Sequence, residues 1–275
     1  MNKILKIIIF LVELLYVSSC SVNNTQAAEL KYKITSKNTV EVIANSSYLT
    51  LDSIAIPETV KIEGKKYRVT RIEDTAFYKC TNLISISIPN SVTSIGKSAF
   101  YSCSKLKSID LPDSLTKIGR NAFDNCEKLS SIKIPHTLAY IDTASFARCK
   151  SLETVIIPEG VTEIKLGAFN SCSNLTNIAI PHSVTYIGAI AFSECHKLEQ
   201  ITITNPDIKI GEWAFQYSYN LKKVQLPYGI TKIWNRAFSK CTRLIDINIP
   251  ESVTSIGYES FDEFCCLWIK GHKFT

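Results

Sequence analysis

The chain has 275 residues, 31 Lys and Arg against 25 Asp and Glu, and a net charge of +6. With 45% hydrophobic, 20% charged and 10% aromatic residues it can bury a core in one or two domains, which excludes a disordered or collagen-like protein. The charges are scattered and the single long apolar run is N-terminal. That pattern argues against a nucleic-acid binder and excludes a polytopic membrane protein.

Residues 1–19 read as a signal peptide. Lys3 and Lys6 form a positive segment, and Ile7 to Val17 form an apolar segment too short for a comfortable membrane span. Val17-Ser18-Ser19-Cys20 resembles a lipobox, in which small residues precede a cysteine that becomes the lipidated N-terminus. Cys20 is therefore the candidate lipidation site, with residues 20–29 as a polar tether. Cleavage near Thr25-Gln26-Ala27 and an uncleaved anchor are the competing readings; Glu13 inside the apolar segment opposes insertion.

Residues 30–72 read as an N-terminal β cap with a first imperfect rung. Tyr32-Lys33-Ile34, Val40-Glu41-Val42 and Ile54-Ala55-Ile56-Pro57 alternate as strands do. From Pro57 to Pro89 the chain runs one repeat period plus a nine-residue insertion around Gly64.

Residues 73–261 are a repeat array. Phe recurs at 77, 100, 123, 146, 169, 192, 215, 238 and 261, always 23 residues apart. This period lies in the range of leucine-rich repeats. The second unit shows the pattern cleanly, with Ala99-Phe100, Cys103, Leu106, Ile109, Leu111-Pro112, Leu115 and Ile118-Gly119. Ile-x-Ile reads as a strand with its Ile side chains inward, and Val-x-x-Ile as a second short wall. The following Pro marks a corner, since Pro donates nothing to a ladder. Gly suits a turn. Ala-Phe-x-x-Cys is too short for an α-helix and reads as a 3-10 or single helical turn. The expected fold is a mainly β, right-handed solenoid of 23-residue rungs, with parallel strand ladders about 4.8 Å apart. Residues 262–275 leave the pattern and read as a C-terminal cap.

The unit Ala-Phe-x-x-Cys-x-x-Leu-x-x-Ile-x-Ile-Pro-x-x-Val-x-x-Ile-Gly resembles the BspA-like, Treponema pallidum-type class of leucine-rich repeats over roughly residues 50–262. The resemblance implies a secreted or surface protein, several members of the family being adhesins for host matrix proteins or other bacteria. It brings no shared catalytic motif. Some lipidated relatives carry acidic residues after the lipid cysteine, whereas Ser21-Val22-Asn23-Asn24 stands here, leaving periplasmic and surface display both open.

Seven cysteines, Cys80, Cys103, Cys126, Cys149, Cys172, Cys195 and Cys241, fall three residues after a repeat Phe. Parallel side chains one rung apart would keep their Cβ atoms about 4.8 Å apart, beyond disulfide range, so these read as reduced, buried thiols. His136 and His182 share a repeat position two rungs apart, about 10 Å, too far for one zinc; with His196 and His272 they read as solvated. No phosphate loop or nucleophile elbow is present, so the expectation is no enzyme, cofactor or metal. Lys105, Lys128, Lys197 and Arg243 form a basic column that could serve anionic glycans or acidic proteins, or be a solvated turn. The outward strand positions are polar apart from Ile156 and Ala179.

Trp213, Tyr217, Tyr219, Tyr228 and Trp234 fall within 22 residues, at positions mostly small or polar in other rungs. They are the candidate partner-binding residues and are expected to face solvent, with packing over an irregular turn as the competing reading. The break Thr204-Asn205-Pro206-Asp207 marks the same region. The expected function is adhesion to a host or bacterial surface protein or glycan. The expected location is the cell envelope, at the outer membrane or surface through a lipid anchor, with simple secretion as the alternative. A structural envelope scaffold without a specific ligand is the competing function, and no nucleic-acid partner is expected.

Overall fold

The computed structural model describes residues 30–262 and the backbone of residues 17 and 18. Cys20, the tether, His272 and all of the C-terminal cap except Asp262 lie outside the described residues, as does nearly all of the signal peptide. Among the described residues no helix is long and apolar enough to cross a membrane.

Each 23-residue unit makes one turn of a solenoid. Rungs are counted by their Phe, from Phe77 in rung 1 to Phe261 in rung 9. A rung supplies a strand such as Ser108–Asp110 and a shorter one such as Lys117–Ile118. Both pair in parallel with residues one period away, as in Ile86 with Ile109 and Ile95 with Ile118. The middle Ile or Val of the longer strand and the Ile of the shorter one point inward, so stacking joins the small apolar faces of single rungs into one continuous core. Phe rings stack down its centre, with centroids 5.1 Å apart at Phe77–Phe100 and 5.7 Å at Phe238–Phe261. Each Pro after the longer strand closes a tight turn: the Leu115 N–H donates to the Pro112 carbonyl at 3.0 Å. A residue without an N–H loses nothing there.

The Ala-Phe-x-x-Cys segment is not the 3-10 or helical turn expected. Residues two before and two after each Phe from Phe77 to Phe238 take left-handed backbone, as at Ser98 (φ 52°) and Ser102 (φ 57°). This alternation divides the N–H groups between two directions. Tyr101 and Cys103 donate to Ser98 and Phe100 within the rung, whereas Ser98, Phe100 and Ser102 donate to Arg120, Ala122 and Asp124 of the next rung. A helix would consume all of them internally, and the rungs would lose a third hydrogen-bonded seam.

Gly119 opens a turn, its carbonyl accepting the Ala122 N–H at 3.1 Å, and space is a second reason for glycine there. A Cβ at this position would lie 2.7 Å from the Gly96 carbonyl carbon. Glycine there permits close approach of neighbouring rungs, and it leaves a groove on the outer surface.

The N-terminal cap begins with the antiparallel hairpin Lys31–Ile34 and Thr39–Val42. Val42 pairs with Ile72 and Ile72 with Ile95, so the cap continues the shorter ladder. The nine-residue insertion forms the hairpin Thr59–Ile62 and Lys65–Ile72. Its two-residue turn has positive φ at both Glu63 and Gly64, the geometry that matches strand twist. Tyr48, in the 3-10 turn Ser46–Thr50, is fully buried with its ring 5.2 Å from that of Phe77. It heads the Phe column, and its hydroxyl accepts the Lys31 N–H at 2.6 Å.

Candidate binding surface

The five candidate aromatics do not share one environment. Tyr228 is 77% exposed and Tyr219 42%, while Trp213, Tyr217 and Trp234 are half-buried, against the expectation that all five face solvent. Trp213 and Tyr217 occupy the two left-handed positions that flank Phe215, with φ of 54° and 60°. In rung 2 the corresponding Ser98 is buried and Ser102 half-buried, so a large side chain there rests on the surface rather than projecting from it.

Three local groupings result. Tyr219 stacks on His196 at 5.0 Å and lies 6.1 Å from the Tyr217 ring. The His196 ring nitrogen Nδ1 is 3.0 Å from the Tyr217 carbonyl, so His196 is a half-buried member of this cluster and not the solvated side chain expected. Trp234 occupies the column otherwise held by Gly211 and Gly257, with the Lys232 ammonium 3.6 Å from its ring centroid. Tyr228 stands apart, beyond the longer strand. Its neighbour Gly229, at φ 116°, would meet Pro206 within 2.8 Å if it carried a Cβ. The irregular rung-6 turn is thus accommodated beside Tyr228. Asn205 braces that turn, donating to the Val184 carbonyl at 2.9 Å and accepting from the Asp207 N–H at 2.9 Å.

Aromatic members that the sequence reading missed lie on the same face. Tyr258 is 68% exposed beneath the Arg236 guanidinium, and Tyr140 carries Lys165 at 3.6 Å from its ring centroid. Hydrogen bonds from the Tyr258 hydroxyl and from Arg236 hold the Glu259 carboxyl below its ordinary range. An aromatic capped by a cation recurs on this edge, a signal visible only once rungs are stacked.

The in-register cysteines are free and buried. From rung 2 onward each thiol donates to a Phe carbonyl of the preceding rung, as from Cys126 to Phe100 at 3.2 Å. Ser218 makes the same bond to Phe192, which explains why serine substitutes there. Burial pushes the thiols up, to about 12 at Cys195, so at neutral pH they are protonated and poor nucleophiles. Among the described residues no group of three or more His, Cys, Asp or Glu could hold a metal ion.

The family model for the BspA type leucine rich repeat region matches residues 70–188 and 162–274, with six copies. The chain belongs to the BspA-type leucine-rich repeat family. No curated protein matches the sequence. A leucine-rich cell surface protein of Faecalibacterium prausnitzii is 24% identical, with 90% of this chain and 88% of that one covered and a TM-score of 0.52. The T. pallidum leucine-rich repeat protein is 26% identical over 86% of each chain, with a TM-score of 0.40. The pneumococcal vaccine antigen PcpA is 17% identical, covering 88% of this chain and 78% of that one, with a TM-score of 0.47. The first of these supports the same fold.

In this BspA-type array the longer strands present a polar outer face, interrupted by Ile156 at 77% exposure. The basic column is exposed, but its members lean on neighbours: Lys105 donates to Asn82 at 2.9 Å and Arg243 to Asn220 at 2.7 Å.

Proposed function

We propose that this BspA-type protein is an exported, non-catalytic binding module, tethered to the cell envelope by a lipid on Cys20, that adheres to a protein or glycan partner. The carrying observation is the aromatic surface of rungs 6 to 8. Tyr219 and Tyr228 are exposed, and Trp213 and Trp234 replace small or polar residues of other rungs without being needed to fill the core. Rigid rings with a polar handle supply large contact area at low entropic cost. The fold-mate from Faecalibacterium prausnitzii, described as a cell surface protein, accords with this location.

Two measurements test the proposal. Fractionation of cells expressing Cys20→Ala should move the protein from the membrane to the soluble fraction; unchanged partitioning removes the lipid anchor. Pull-down against host-matrix and glycan panels should identify a ligand whose capture Trp213→Ala/Trp234→Ala abolishes while the fold persists. Full capture by that variant removes the aromatic surface as the binding site, and absence of any ligand favours the envelope scaffold.

A further inference from the structure

A recessed site lies at the opposite end of the same face, and none of the five candidate aromatics contributes to it. It is an open trench of about 410 Å³ over rungs 1 to 3. Its floor is the glycine column, Gly96 and Gly119, where no side chain rises. One wall is the outward row Arg71, Ser94 and Lys117, which pair side by side in the parallel ladder. The other wall carries Lys97 and Arg120, one period apart, and Asp142 stands in the glycine column at the far end.

The trench is polar and carries four cations against two carboxylates. The carboxylates are already engaged. Asp74 accepts the Lys97 N–H at 2.8 Å and the Arg71 guanidinium at 3.4 Å. Asp142 accepts the Thr143 N–H at 2.8 Å, and the Lys165 ammonium lies 3.8 Å away. Arg71 is further occupied by the buried Glu41 at 3.3 Å. The side chains of Lys97, Lys117 and Arg120 are exposed and make no ion pair among the described residues. Three uncommitted cations therefore converge on a recess whose floor is bare backbone, and a concave surface concentrates their field. At Lys105 and Lys150, by contrast, the cation is spent on a neighbour one rung away.

We propose that this trench binds an acidic oligosaccharide, carrying carboxylate or sulfate groups, laid along the solenoid axis. Three features select that class. The cations, Arg120 above all, match the planar or tetrahedral oxyanion of such a group. The contacts of Asp74 and Asp142 all fall on Oδ1, so each Oδ2 stays available as an acceptor for sugar hydroxyls. Lys97 and Arg120 are separated by one rung, about 4.8 Å, close to the length of one pyranose unit, so successive sugars meet successive cations. No aromatic residue lines the trench, so it lacks the stacking platform that single-stranded nucleic acid requires. The inference rests on the reading of the chain as a binding module but uses different residues from the aromatic surface.

Binding of the full chain to a heparin-derived hexasaccharide, an oligogalacturonate and poly-glutamate is measured by isothermal titration calorimetry. At least one acidic sugar should bind, and Lys117→Ala/Arg120→Ala should weaken it by about tenfold or more. Lys61→Ala/Lys66→Ala, with the same charge change on the hairpin of residues 59–72, should stay within about twofold, and Trp213→Ala/Trp234→Ala should bind normally. Lys117→Gln alone substitutes if the double variant loses its far-UV signature. The inference is overturned if neither sugar binds, if poly-glutamate binds as tightly, if both lysine-containing double variants lose affinity equally, or if the tryptophan variant abolishes sugar binding. Loss of partner capture by the tryptophan variant with sugar binding retained would leave both readings standing as separate sites.

Discussion

Replacing Phe146 with Ala tests the stacked column directly. The Phe146 ring is 1% exposed and sits 5.5 Å from both Phe123 and Phe169. Truncation removes two ring contacts and opens a cavity that rigid neighbouring rungs cannot collapse into. The expected cost is about 3–5 kcal/mol, of which the two ring pairs contribute roughly 0.5–1.5 kcal/mol each. Phe261→Ala is the internal comparison. Its ring is only partly buried among the described residues, 5.7 Å from Phe238, so about 1–2 kcal/mol is expected. Rungs couple only to their neighbours, so weakening rung 4 should also separate the two halves of the array. Trp213 and Trp234 lie C-terminal to it, and the third tryptophan, Trp268, follows them in sequence. Urea unfolding followed by tryptophan fluorescence therefore reports the C-terminal half, and far-UV circular dichroism the whole chain. In Phe146→Ala the midpoint should fall and the two curves should separate. A cost below about 1.5 kcal/mol, or equal costs at Phe146 and Phe261, would refute nearest-neighbour stacking as the source of stability.

Burial pushes Cys80 up to about 11, and Cys195 and Cys241 up to about 12. A thiol whose folded pKa is raised contributes stability that is full below the unfolded value, about 8.5, and is lost as pH rises through the folded value. Urea midpoints should therefore fall above pH 8.5 or so, with a shallower fall in Cys195→Ser/Cys241→Ser; identical slopes would remove the thiols as the cause. In the native full chain at neutral pH, Cys103, Cys126, Cys149 and Cys172 should resist a thiol reagent. All four should label after denaturation without reductant, and any that stay blocked would reveal a cross-rung disulfide. Tyr48→Phe, which removes the hydroxyl accepting the Lys31 N–H, should cost about 0.5–1.5 kcal/mol, and Tyr48→Ala about 3–5 kcal/mol. Equal costs by urea unfolding would mean that the ring does not cap the Phe column.

A fixed period is enough to determine which residues share a column, so the burial of Phe123, Leu129 and Ile132 and the unpaired thiol ladder were legible from residue types alone. So was the strand alternation before the array, since Tyr32-Lys33-Ile34 and Val40-Glu41-Val42 pair as an antiparallel hairpin. The departures Trp213, Tyr217, Tyr219, Tyr228 and Trp234 were visible as breaks in the period, but their exposure was not. Side-chain direction at Trp213 and Tyr217 follows from positive φ, and the residues at the equivalent positions, such as Thr75, Ala144 and Ile190, do not advertise it as glycine would. Tyr48 was equally hidden, because the spacing from Tyr48 to Phe77 does not match the repeat. The trench over Gly96 and Gly119, the pairing of Lys232 with Trp234 and the stacking of His196 on Tyr219 were decided by the tertiary structure. Each depends on how closely one rung's backbone approaches the next, a distance set by hydrogen bonds and packing between residues a full period apart.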